Sequence, residues 1–286
     1  MYTLDAERKD EALGPAGGPQ ILPLMRLTRR ALVFCLVALA AWPRVAVPAQ
    51  DPPSSAGPGP TAGVAVSGEP SPLGPSFRSM TGDDLFSKLL EHNQLRDAHL
   101  RGYSALRDYS VTNDKGKVYA EEVVRVTYSA PDRKNFVVES ANGSGLVRDL
   151  VLKRLMESES ETSSGRAHRA SAVQPENYDL TPIGEQDVGP YHCLVVRITP
   201  KRRDKYLFEG RLWIDSEDYG IVRMAGRPAK ALSFWITQAD FVRQYQKIGE
   251  FWLPARDETF VRIRLYGKRI LTIGHRDYTV NGGDPR

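Results

Sequence analysis

From Lys205 to Val280 the chain alternates apolar and polar residues in successive runs separated by tight turns. KYLFEGRLWIDSEDYGIVRMAGR, LSFWITQADFVRQYQKIGEFWLPARDETFVRIRLYG and KRILTIGHRDYTV read as strands of an antiparallel meander. Upstream the period changes. Leu85, Phe86, Leu89, Leu90 and Leu100 recur at helical spacing after Thr81-Gly82-Asp83-Asp84, which predicts a helix that starts there and ends near His99–Gly102. The next runs have a period of two. Tyr103, Ala105, Arg107, Tyr109 and Val111 share one face of a strand, and Val118, Ala120, Val124, Val126 and Tyr128 share one face of the next. Asn113–Gly116 forms the turn between them, and Lys134–Ser140 forms a third strand.

After Asn142–Gly145, Leu146, Leu150, Leu152 and Leu155 predict a second helix running to about Ser158. Glu157–Ala172 is rich in Ser, Glu and Arg without apolar period, so a rim loop is expected there. Strands are then expected at about 177–186, 191–200, 205–215, 219–227, 231–246, 250–265 and 268–281. Ten strands and two helices make an α+β fold. A sheet that large must cover its apolar face, and an unclosed half β-barrel with two helices across the concave side does so.

Composition divides the chain of 286 residues. Residues 1–49 hold an N-terminal extension and a signal peptide: Arg26, Arg29 and Arg30 precede the short apolar run Ala31–Trp42, with Val47-Pro48-Ala49 at the cleavage positions. An uncleaved inner-membrane anchor is the alternative. Residues 50–79 form a linker, because Pro and Gly supply 12 of residues 51–79 and cannot build a core. Residues 80–286 form the domain. Without residues 1–49 the net charge is about +2, too balanced to point to nucleic acid. Lys201-Arg202-Arg203 reads as a solvated turn. Cys193, the one cysteine outside the signal, sits in an apolar run and reads as buried and inert.

No catalytic set stands out. The five histidines have no metal-pair spacing, so neither a metal nor a cofactor is expected. Ser144 in Asn142-Gly143-Ser144-Gly145 lacks the nucleophile-elbow pattern. Asp215, Glu217 and Asp218 read as a polar hairpin turn rather than an acid–base pair. Of Val261, Ile263 and Leu265 against Phe260, Arg262, Arg264 and Tyr266, the arginine-bearing set is expected to face outward.

Several segments taken together resemble the periplasmic outer-membrane lipoprotein-sorting family of LolA/LolB and RseB/MucB type. They are Leu100-Arg101-Gly102-Tyr103 through Tyr109-Ser110-Val111, Val124–Arg133, Gly210–Asp215, Tyr219–Arg223, Gly249–Pro254, Tyr266-Gly267 and Asp277-Tyr278. The resemblance implies a periplasmic half-barrel with a helical lid over an apolar cavity that carries lipoprotein acyl chains or senses envelope components without catalysis. On that reading Leu85, Phe86, Leu89 and Leu90 are lid candidates. Val124, Val126, Tyr206, Phe208, Leu212, Ile214, Val261, Ile263 and Leu265 are candidates for the cavity wall. The expected partners are lipid acyl chains or lipoproteins, bound by a monomer. The alternative is a regulatory module of RseB/MucB type that holds an envelope protein.

Overall fold

The computed structural model describes residues 68–162, 171–204, 206–232, 234 and 236–282. The N-terminal extension, the signal and most of the linker lie outside the described residues. Among the described residues ten strands form one antiparallel sheet: β1 (Gly102–Thr112), β2 (Val118–Ser129), β3 (Arg133–Gly143), β4 (Tyr178–Val188), β5 (Tyr191–Pro200), β6 (Phe208–Asp215), β7 (Ile221–Pro228), β8 (Ile236–Ile248), β9 (Phe251–Ile263) and β10 (Gly267–Val280). Their order across the sheet is β3-β2-β1-β10-β9-β8-β7-β6-β5-β4. The edge strands β3 and β4 are not paired with each other, so the sheet is an open half-barrel, as the strand and helix count predicted.

Helix α1 (Gly82–His99) starts where the sequence placed it. Thr81 accepts a hydrogen bond from the Asp84 amide, and the Asp84 carboxylate accepts from the Thr81 amide. This reciprocal cap satisfies two of the amides that a helix start leaves unpaired. The stripe Leu85, Phe86, Leu89 packs against Leu194, Val196, Phe208, Leu212, Ile214 and Met224 of β5, β6 and β7. Gly82 is a fixed contact point, because a Cβ there would stand 2.3 Å from the Leu180 carbonyl oxygen of β4.

The second helical element, α2, is α-helical over Gly145–Val147, π-helical over Arg148–Leu152 and α-helical again over Lys153–Thr162. The rim loop expected from Glu157 therefore begins later, since helix continues through Thr162. Val151, Leu152, Leu155 and Met156 of α2 pack on Tyr109, Val111, Val124, Val126, Leu271 and Ile273 of β1, β2 and β10.

The two helices thus cover separate halves of one face. The other face carries a smaller cluster of Val188, Cys193, Val195, Trp213, Val222 and Trp252. At the β4 edge, Ser71 exchanges backbone hydrogen bonds with Glu185, and Leu73, Phe77 and Met80 pack against the α1 cluster. The chain between 68 and 80 therefore shields one sheet edge.

Candidate functional site

A row of residues crosses the helix-covered face through paired positions. It runs Val196, Leu212, Met224, Arg243, Asp257, Ile273, Tyr109. The row is apolar beneath α1, ionic in the middle and apolar again beneath α2. Beside its ionic part lies the pair Arg107–His275, facing each other across β1 and β10.

Arg107 is 4% exposed and Glu159 7%. The guanidinium donates to both carboxylate oxygens of Glu159, at 2.7 Å and 3.0 Å, and to the Tyr109 hydroxyl at 3.2 Å. Lys134 of β3 donates to the same carboxylate at 2.5 Å. Burial pushes the Glu159 carboxyl upward, but Arg107 and Lys134 outweigh it and hold the group well below the usual carboxylate range. One glutamate of α2 therefore ties β1 and β3 to the helix by charge-assisted bonds in a bidentate geometry.

A second buried group lies toward α1. Arg243 donates to Asp257, and His275 Nε2 lies 3.1 Å from the other oxygen of that carboxylate. Tyr278 donates to the Pro254 carbonyl at 2.9 Å and lies 3.4 Å from His275 Nδ1. Burial raises the Asp257 carboxyl, while Arg243 and His275 pull it below its ordinary value. Burial lowers His275, and Asp257 only partly opposes this, so the ring is neutral at pH 7.

Along α1 the buried stripe continues from Leu89 to His92 and Arg96. Among the described residues neither ring nitrogen of His92 has a partner in good hydrogen-bond geometry, the Asp218 backbone being the nearby polar group. Its pKa is pushed down to about 4, first by burial, against the nearby Asp218. Asp218 accepts from Trp252 Nε1 at 3.0 Å, from the Gly220 amide at 2.8 Å and from Lys247 at 2.8 Å. Asp215 is raised to about 6 by burial and then by Asp218. The expected hairpin turn is present, with Tyr219 donating its amide to the Asp215 carbonyl. The Asp218 carboxylate braces β9 through Trp252 and the end of β8 through Lys247 as well as closing the turn through the Gly220 amide.

The lid candidates divide. Leu85, Phe86 and Leu89 are buried on the sheet, whereas Leu90 is 55% exposed and faces solvent. The wall candidates also divide. Val124 and Val126 lie under α2. Phe208, Leu212 and Ile214 lie under α1, while Tyr206 is only partly buried in the connection that precedes β6. Val261 and Ile263 form a separate small cluster with Ile236, Leu232 and Ala239. Leu265 is 88% exposed at a turn. Of the opposite set, Phe260, Arg262, Arg264 and Tyr266 are all exposed, as predicted for the arginine-bearing face.

The ionic residues were not picked out from sequence. Their signal was a charge at an inward position of an alternating strand, as in Tyr103-x-Ala105-x-Arg107-x-Tyr109. Beside the start of α1 a cleft of ≈ 200 Å³ is lined by Thr81, Asp83, Phe86, Tyr178, Leu180 and Lys201 among others. It is smaller than the roughly 300–1,000 Å³ usual for a small-molecule pocket. Among the described residues no group of three or more His, Cys, Asp or Glu side chains is placed to hold a metal, and no helix is long and apolar enough to cross a membrane.

No curated protein matches the chain. Among solved structures it is similar to a DUF1329 family protein from Desulfovibrio piger, with 12% identity over 71% of this chain and 95% of that one and a TM-score of 0.39. It is similar to a LolA superfamily protein from Nitrosomonas europaea, with 9% identity over 72% and 96% of the two chains and a TM-score of 0.37. It is also similar to a chain in the MucA/MucB complex of Pseudomonas aeruginosa, with 12% identity over 67% and 93% and a TM-score of 0.25. Likenesses this distant carry no functional argument. The sequence itself goes further: over residues 116–233, from the β1–β2 turn into the β7–β8 connection, the chain matches the MucB/RseB N-terminal domain family, which bears out the resemblance drawn from its strands.

Proposed function

We propose that the chain is a non-catalytic periplasmic binding module of MucB/RseB type that holds a segment of an envelope protein, exported by the signal in residues 26–49. The observation that carries this reading is the ionic seam at the middle of the helix-covered face, Arg107–Glu159–Lys134 beside Arg243–Asp257–His275. These groups are already buried and paired, so an acyl chain inserted among them would part them and return no hydrogen bonds. A polypeptide brings carbonyls, amides and charged side chains that can replace those bonds one for one. The family match over residues 116–233 supports the same reading.

A second reading, a carrier of lipid or lipoprotein acyl chains, is favoured by one observation. The α1 stripe Leu85, Phe86 and Leu89 meets an apolar wall of Phe208, Leu212 and Ile214, and these surfaces would receive an alkyl chain if α1 lifted.

Cross-linking of the full chain in its own envelope, with the adducts identified by mass spectrometry, separates the two. A protein segment linked to α1 or α2 is the expected product. Adducts made only with lipid would favour the carrier.

A further inference from the structure

The loops that join β1 to β2, β5 to β6, β7 to β8 and β9 to β10 lie at one end of the sheet. The register requires it, since Thr112 pairs with Ile270, Ile236 with Ile263 and Phe208 with Pro228. At the tip of this rim three large apolar side chains stand in water: Leu265 at 88% exposure, Phe234 at 71% and Tyr266 at 57%.

They are held there. The β9–β10 turn places Leu265 at φ 67, a left-handed conformation that costs a leucine energy and that glycine adopts freely. Arg269 donates to the Tyr266 and Lys268 carbonyls at 2.6 Å and 2.8 Å, which braces the turn. Arg264 donates to the Phe234 carbonyl at 3.0 Å, and its guanidinium lies 4.5 Å from the centre of the Phe234 ring. Val261, Ile263 and Ile236 pack directly behind the tip. The apolar residues therefore project from a firm base.

The charge in the β9–β10 segment itself has one sign. From Thr259 to Arg276 the sequence contains no acidic residue, and the tip carries Arg262, Arg264, Lys268 and Arg269. Farther along the same end, the β5–β6 connection carries Lys201 and Arg202, paired with Asp179 and Asp204, and Arg203. At the opposite end of the sheet the turns carry Asp132, Glu217, Asp218 and Glu250.

We infer that this rim docks onto an anionic phospholipid surface, with Leu265, Tyr266 and Phe234 entering the interfacial layer while the surrounding arginines and lysines engage lipid phosphates. Exposed aromatic and leucine side chains ringed by basic residues suit the headgroup boundary, where apolar burial and attraction to anionic lipid act together. A protein partner would be expected to answer the basic residues with carboxylates over a broader area than three projecting side chains present. The inference does not depend on what the helix-covered face binds.

The test uses the full chain bearing Leu265→Cys in a Cys35→Ser background, labelled with an environment-sensitive fluorophore; the remaining Cys193 is fully buried. With vesicles of phosphatidylglycerol and phosphatidylethanolamine the emission should shift to the blue, and 0.5 M salt (roughly a 4 Å Debye length) should reverse much of the shift. Phosphatidylcholine vesicles should give little change. The probe reports the tip itself, so retention of the chain through another segment does not imitate the result. In parallel, Leu265→Gly with Tyr266→Ala should lower partition of the labelled-elsewhere chain onto the anionic vesicles about tenfold, at an unchanged or raised melting temperature because glycine fits the turn. An unshifted tip probe on anionic vesicles, an equal shift on phosphatidylcholine, or tip variants that partition as the parent does would each overturn the inference.

Discussion

Glu159 of α2 and Arg107 of β1 form a buried bidentate ion pair at the centre of the helix-covered face, and Lys134 of β3 shares the carboxylate. The pair locks the second helix onto the sheet at the point where the apolar surface beneath it ends. Removing one partner leaves a charge in the interior. Glu159→Ala should therefore cost about 3–5 kcal/mol. The triple variant Arg107→Met, Lys134→Met and Glu159→Leu should recover most of that loss, because it leaves no member of the charged group without its partner. Urea unfolding of the three proteins checks this, and a Glu159→Ala cost below about 1 kcal/mol would remove the pair from the account.

The lid stripe should be sharply uneven. Leu89 is buried against the sheet and its neighbour Leu90 is not. Leu89→Ala should lower stability by about 2–5 kcal/mol. Leu90→Ala should stay within about 0.5 kcal/mol of the parent. Equal effects at the two positions would mean that α1 sits in another rotation about its axis.

Gly82 brings the first turn of α1 against β4. A methyl group would be driven into the Leu180 carbonyl, which is backbone and cannot swing aside. Gly82→Ala should therefore raise hydrogen exchange throughout α1 while leaving the amides of β1 and β2 protected, at a cost of about 1–3 kcal/mol. Uniform exchange over the whole chain would contradict a lid that is pinned at this end.

Stability should fall on mild acidification through His92. Its folded pKa is near 4 and its unfolded pKa is about 6.5. The unfolded chain then binds more protons between those values, so stability is full above about pH 6.5 and declines as pH falls towards 4. Asp218 attracts the protonated ring, and Arg96 and Lys247 repel it. The full difference corresponds to about 3 kcal/mol. His275, also lowered by burial, acts in the same direction. Asp215, raised to about 6, acts in the opposite one, since a raised carboxyl favours the fold at lower pH. Relative to the parent, His92→Phe should gain up to about 3 kcal/mol at pH 4 over pH 7, and an unchanged pH dependence would show that the ring is not held neutral.

Much of this architecture could be read from the chain. The Thr81–Asp84 cap follows from residue type and spacing alone. The alternation in β1 and β2 placed Tyr109, Val111, Ala120, Val124 and Val126 inward, where they are found. Legibility failed where a local signal was weaker than a tertiary one. The last turn of α2 has no apolar period, because its contribution to the interior is the charged Glu159, and only Arg107 and Lys134 make that burial favourable. Arg243, Asp257 and His275 escaped for the same reason, as each is compensated by a residue far away in sequence. Leu265 was assigned inward by extending the two-residue period of β9. The strand stops at Ile263, and the left-handed turn that follows sends the side chain outward.

The most direct test of the central claim is native mass spectrometry of the full chain, purified from a bacterial envelope without detergent. A face closed by packed helices and an ionic seam predicts a mass free of lipid, that of the polypeptide with or without a bound protein segment. Stoichiometric retention of phospholipid or fatty acid, lost in Leu89→Asp but kept in Leu265→Gly, would place an acyl chain beneath the lid and contradict it.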